Sequence, residues 1–219
     1  KAILYGIDRE TILDGFLNGK GEVVDGFLSS VGPFYDSSLT PTEYNPEKAK
    51  SLLEEAVADG WDSSRVLNFY INSGDTTFGQ AADYIAAKLG EIGIKIQVHT
   101  VDLSSLMTVA GGKEFDLMAI QYTYAPVDPY PDVNWLLSEG GWTGYENDTI
   151  VEALSATQTS DVDAIRQNYL TINKIVQQDV PMISAYVISA MGAVNNRLVN
   201  ATPNVYGSFI NIHEWEVVQ

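Results

Sequence analysis

The side chains able to do chemistry are few, and they stand in patterns that chemistry does not use. The two histidines, His99 and His213, are far apart. His99 alternates within an apolar stretch that reads as a strand, where a single imidazole is a structural residue more often than a general base. His213 adjoins Glu214, but no HExxH or paired-histidine spacing accompanies it, so no metal site is expected. Cysteine is absent, which removes thiolate ligands, disulfides and cysteine nucleophiles together. There is no GxSxG elbow to expose a serine. Gly19-Lys20-Gly21 lacks the third glycine and the preceding strand of a dinucleotide site. Asp161-Val162-Asp163 opens like a calcium loop without its glycine and closing glutamate, and reads as a helix cap. Asn147-Asp148-Thr149 and Asn200-Ala201-Thr202 match glycosylation sequons, a pattern common by chance. No catalytic residue, metal ligand or cofactor site is therefore expected.

One region does gather binding chemistry. Tyr122, Tyr124, Tyr130, Trp135, Trp142 and Tyr145 fall within 24 residues, around the proline-rich run Ala125-Pro126-Val127-Asp128-Pro129-Tyr130-Pro131. Aromatic rings give large contact area with polar tips at little entropic cost, which suits a binding wall. The same rings also suit a core and loop anchors, and at this point both readings stand.

The elements that must position this run are legible upstream. Val66 to Ile71 reads as a strand. Polar Asn72 to Thr76 turns the chain into a helix carrying Phe78, Ala81, Ala82, Ile85, Ala86, Leu89 and Ile92 at helical spacing. Thr77 and Gln80 fit a capping box at its start, and Gly93 fits its stop. Ile94 to Val98 alternates as a second strand, Leu103 to Val109 reads as a short helix, and Phe115 to Tyr122 as a third strand. Strand, helix, strand implies a right-handed crossover and parallel pairing. The result is an α/β lobe whose function belongs at the strand ends.

Elsewhere, Asp8 caps a helix with Ile12, Leu13, Phe16 and Leu17 inward, ended by Gly19. Residues 18 to 44 read mostly as loop. Asn45-Pro46-Glu47 starts a helix with the inward stripe Ala49, Leu52, Leu53, Ala56 and Val57. The run from 122 to 132 and the stretch 139 to 145 read as irregular. Asp161 to Asp179 forms a helix ended by Pro181, with Ile165, Tyr169, Ile172 and Val176 on one face. Met182 to Ile188 and Ala193 to Leu198 read as strands, and Tyr206 to Gln219 as an irregular tail.

Composition bounds the partners. A chain of 219 residues buries roughly 70% of its unfolded surface, enough for a full core. Twelve basic against 29 acidic residues give a net charge of −17. That argues against nucleic acid, whose affinity rests on Lys and Arg, and against docking on anionic lipid. No apolar run approaches the ~18 residues of a membrane span. The apolar start Lys1-Ala2-Ile3-Leu4-Tyr5 reads as a beginning inside a longer polypeptide, so the lack of a signal peptide carries no information on location.

Four motifs, in order along the chain, resemble the family 5 solute-binding proteins of ABC importers, which include oligopeptide-, dipeptide- and nickel-binding members. Tyr5 to Ile12 resembles A-I-D-R-E-x-I. Tyr44 to Leu53 resembles Y-D-P-x-K-A-K-x-L-L. Leu89 to Ile96 resembles L-x-x-I-G-I-x-V, with Phe115-Asp116-Leu117 matching Y-D-L. Arg166 to Pro181 resembles the late R…Y…Q-x-I-V-x-x-D-x-P stretch.

The resemblance implies a mixed-sheet α/β lobe of the type II periplasmic-binding-protein kind with flanking helices. Residues 1–190 would form the C-terminal lobe of a two-lobed protein, and 191–219 a tail crossing back to the other lobe. It implies a non-enzymatic importer component that captures a peptide or other small solute between lobes and delivers it to membrane permease subunits. Such a protein is extracytoplasmic, in the periplasm or as a surface lipoprotein, and monomeric. The family's contacts on this lobe align with Gln121, Tyr122, Thr123, Tyr124, Ala125, Val127 and Asp128. In peptide binders an Asp three residues before the acidic-Pro pair anchors the peptide's amino terminus; here Asp128-Pro129 is that pair and Ala125 holds the anchoring position. Ala125 to Pro129 also resembles the A-P-x-D-P of nickel-complex binders, whose contact Trp and Tyr would fall at Thr123 and Val127. The alternatives are an α/β hydrolase or transferase using Asp128 or Asp132, and a ligand-sensing domain.

Overall fold

The alternating burial of Val66 to Asn72 shows how this chain builds its first core. Leu67, Phe69 and Ile71 are buried while the residues between them are not, as expected of a strand with one face on a core. The computed structural model describes residues 1–35, 37–123, 128–138, 140–188, 193–201 and 211–218. It divides into two compact units, Lys1–Val187 and Ile188–Gln219.

The first unit runs α1 (Ala2–Gly6), α2 (Arg9–Leu17), β1 (Gly21–Glu22), α3 (Pro46–Ala58), β2 (Val66–Asn72), α4 (Thr76–Glu91), β3 (Lys95–Val101), α5 (Leu103–Gly112), β4 (Leu117–Ala119), α6 (Tyr130–Leu137), α7 (Asp148–Ala156) and α8 (Val162–Asp179), and reaches the start of β5 (Val187–Ile188). Its sheet has the order β3-β2-β4. Both pairings are parallel, with Val66 opposite Lys95 and Phe69 opposite Leu117.

Ala81, Ala82, Ile85 and Leu89 of α4 are buried in one cluster with the inward residues of β2, and Ile7, Ile12 and Ala49 join it from the N-terminal helices. A second cluster gathers Val133 and Leu137 of α6, Ile150 and Leu154 of α7, and Tyr169, Ile172 and Val176 of α8. The Tyr169 ring meets Phe27 and Phe34 at centroid distances of 6.3 and 5.1 Å. Burial pushes the Tyr169 hydroxyl up to about 12.

A buried ion pair ties the N-terminal segments to α8. Arg9 donates to Asp25 Oδ1 at 2.6 Å and to the carbonyls of Val24, Thr42 and Ser184. Asp25 Oδ2 accepts from the Thr42 amide, the Thr42 hydroxyl and Gln177 Nε2. Burial alone would raise the Asp25 carboxyl; the Thr42 and Gln177 hydrogen bonds and the Arg9 charge outweigh it and hold the group below its usual range.

Three of the expected caps are present. Asp8 accepts from the Thr11 amide, Asn45 from the Lys48 amide, and Asp161 from the Asp163 and Ala164 amides. Several boundaries differ from expectation. The cap of α4 is Asp75, which accepts from the Phe78 amide at 2.9 Å, so no Thr77–Gln80 box forms. On α3 only Ala49 is fully buried, and Val57 is exposed. The third strand spans only Leu117–Ala119, as far as its register with Phe69 to Ile71 of β2 extends. The expected strand at 182–188 is reduced to Val187–Ile188, and that at 193–198 becomes a turn leading to a strand at Leu198–Val199. Part of the aromatic run is helical: α6 begins at Tyr130, with Pro131 in the first turn, where a missing amide costs nothing.

In the second unit, β6 (Leu198–Val199) pairs antiparallel with β7 (Glu216–Val217). A 3-10 turn at Ile212–Glu214 precedes β7. Asn211 stitches it, donating to the Asn200 carbonyl at 2.8 Å and accepting from Trp215 Nε1 at 3.0 Å.

Candidate functional site

Parallel strands end together, and here the ends of β2 and β4 meet the start of α4. After Asn72 the chain turns sharply. The Ser73 amide donates to the Val101 carbonyl at 2.7 Å, closing the turn onto the end of β3. Asn72 Oδ1 accepts from the Gly74 amide at 3.1 Å, and the Asn72 carbonyl accepts from the Asp75 amide at 3.1 Å. This Asx turn delivers Asp75 to the cap position of α4.

An open cleft of about 520 Å³ lies at this junction. Asn72, Ala119, Ile120, Gln121 and Thr123 line it from the strand ends; Gly74 to Phe78 line it from the turn and first turn of α4, and Leu103 from α5. Phe78, Ile120 and the half-exposed Leu103 give it an apolar part; the threonines, Asn72 and Gln121 supply neutral donors and acceptors. Asp75 is its sole ionisable lining residue among the described residues. The Phe78 ring also meets Tyr186 at 6.1 Å. Burial, with the Asp75 charge adding to it, pushes the Tyr186 hydroxyl up to about 12.

Of the residues expected to contact a ligand, Gln121 and Thr123 line this cleft. Tyr122, between them, stacks on Trp135 at 5.7 Å, and its hydroxyl donates to Asp132. Burial and the Asp132 carboxylate push that hydroxyl up to about 12. Trp135 in turn meets Trp142 at 4.0 Å. Asp128 is exposed. Tyr124, Ala125 and Val127 lie outside the described residues. Tyr130 and Tyr145 pack on the second core, so the aromatic run divides between core and surface stack. The cleft residues Asn72, Asp75 to Phe78 and Leu103 were not singled out from the sequence. The available signal was their place just beyond the apolar runs of β2 and β3, where open α/β sheets bind ligands.

Neither histidine lines the cleft. His99 Nε2 lies 2.9 Å from Asn68 Oδ1, and its ring stacks on Tyr70 at 4.7 Å. His213 is exposed beside Glu214. Asn147, in the first sequon, caps α7 through the Ile150 amide and donates to the Tyr145 hydroxyl. Among the described residues no three His, Cys, Asp or Glu side chains converge as a metal site.

The three-stranded parallel sheet carries its cleft at the strand ends, in an α/β fold of the periplasmic-binding-protein kind. The family model for bacterial extracellular solute-binding proteins, family 5 (Middle), matches residues 1–144, and the chain belongs to that family. It is similar to the dipeptide-binding protein of Pseudomonas aeruginosa, 24% identical over 194 residues covering 83% of this chain and 36% of that protein. It is also similar to the nickel-binding periplasmic protein of Escherichia coli, 25% identical over 143 residues, 59% of this chain and 26% of the relative. In structure it resembles the ABC transporter substrate binding protein CtaP of Listeria monocytogenes, with a TM-score of 0.88 at 20% identity over 100% of this chain and 46% of that one. The chain thus spans less than half the length of each of these proteins.

Proposed function

We propose that this chain is the C-terminal lobe of an extracytoplasmic, monomeric solute-binding protein that captures a peptide or other small solute and passes it to the permease of an ABC importer. Residues 1–190 form the lobe and 191–219 the tail that crosses back to the other lobe. The observation that carries this reading is the open cleft at the ends of β2 and β4, lined by Gln121 and Thr123 beside the α4 cap. Solute binds by main-chain pairing along the Gln121 to Thr123 segment, with its side chains against Phe78, Leu103 and Ile120. Closure of the second lobe over this half-site traps it. The names of the relatives, which bind dipeptides or nickel, set the first solutes to try.

A thermal-shift screen of the full-length protein against di- to octapeptides, sugars and metal chelates tests the reading. A solute at 100 times its dissociation constant stabilises the fold by about 2.7 kcal/mol, which is readily seen. A shift with one class of solute is the expected result. No shift with any of them, alongside turnover of an ester or glycoside abolished by Asp128→Asn, would overturn it.

A further inference from the structure

Away from the cleft, the core under α8 holds a polar group that the chain leaves unsatisfied. Asn173 is 2% exposed, and among the described residues nothing donates to its Oδ1. An orphaned amide oxygen in the interior costs stability, and folded proteins rarely keep one without water on it. Its neighbours are specific. Gly26 adopts a φ of +86°, and a Cβ there would stand 2.2 Å from Asn173 Oδ1 and 3.6 Å from Val176 Cγ1. Gly26 and Val176 both line a small cavity of about 10 Å³, together with Arg9, Asp25, Gln177 and Ser184.

Other groups on this cavity have capacity to spare. Arg9 spends its Nη atoms on Asp25 and on three carbonyls, and its Nε–H meets no acceptor among the described residues. Asp25 Oδ1 accepts from Arg9 alone among the described residues, so it can accept once more. Ser184 brings a hydroxyl, which both donates and accepts. A guest here must do both as well. The Arg9 charge opposes a metal cation, which would also need several oxygen ligands. The Asp25 charge opposes an anion, and the volume is that of a single water molecule. We propose that this cavity is a structural water site: one water donates to Asn173 Oδ1 and is held on its other side by the Arg9–Asp25 pair. The water joins α8 to the segment that carries Asp25 and Gly26. The site stands apart from the strand-end cleft and does not depend on which solute the protein carries.

The direct test is a crystal structure of the full-length protein at a resolution that shows ordered water. One water is expected in this cavity, within about 3.2 Å of Asn173 Oδ1 and in contact with Arg9 Nε, Asp25 Oδ1 or the Ser184 hydroxyl. No water there, or one that does not reach Asn173, overturns the proposal, and this readout needs no variant to fold. Asn173→Leu keeps a side chain of similar size and removes the amide. In its crystal structure the water is expected to be gone, and its melting temperature is expected to fall because Arg9 Nε loses its partner. A water that persists in Asn173→Leu would show that the amide does not hold it. A rise in melting temperature would show that Oδ1 is a true orphan, whose removal relieves a cost. Either result overturns the proposal.

Discussion

Arg9 and Asp25 carry the strongest single-residue consequence in this lobe. Both side chains are almost fully buried, at 2% and 5% exposure, and both terminal nitrogens of Arg9 and both oxygens of Asp25 are hydrogen-bonded. Removing one member leaves the other charged and unpaired in the interior. Arg9→Ala is therefore expected to destabilise the protein by about 3–5 kcal/mol, read by thermal or urea melting. The pH dependence has a definite sign. Asp25 is depressed when folded, so the stability it contributes is present above the ordinary carboxyl value of 3.8 and is lost as pH falls through its lower folded value. Without Arg9 that acid limb should flatten. A variant as stable as the parent would show that the pair does not hold these segments together.

At the scale of elements, the cap of α4 lies on the cleft wall. Asp75→Ala removes the acceptor for the Phe78 amide, and a loss of about 1 kcal/mol is expected in denaturant melts. Asp75→Asn should cost far less, which separates the helix-capping part of this residue from its charge. The capping box expected at Thr77 and Gln80 falls two residues too late, because the Asx turn at Asn72 ends sooner than residue types reveal. Caps at Asp8, Asn45 and Asp161 were legible since each stands directly before an apolar stripe. Helices α6 and α7 were not. Proline density around Tyr130 reads as loop, although Pro131 falls in the first turn where it is tolerated. Asn147 reads as a sequon, although its side chain caps α7. Strand ends were overestimated for a different reason: Phe115 to Tyr122 is apolar enough for a long strand, but its pairing with β2 ends at Ala119. Apolar pattern marks what can pair, and register decides how much does.

At the scale of the whole molecule, the order of the strands mattered more than any motif. No catalytic pattern was present to find. What the sequence offered was strand, helix and strand, and the consequence that ligand chemistry gathers where parallel strands stop. Gln121 and Thr123 are expected from the family resemblance, on the segment that follows the third strand, and both line the cleft. Tyr122 shows where it runs out: its ring stacks on Trp135, a tertiary contact that no local pattern announces. The sharpest test of the account is a calorimetric titration of the full-length protein carrying Thr123→Trp, using whichever solute gives the largest thermal shift. The indole would fill the mouth of the cleft without touching the two cores. The account predicts that affinity falls tenfold or more, about 1.4 kcal/mol, with the melting temperature unchanged. A folded variant that binds with the parent's affinity would show that the solute does not sit at the strand ends.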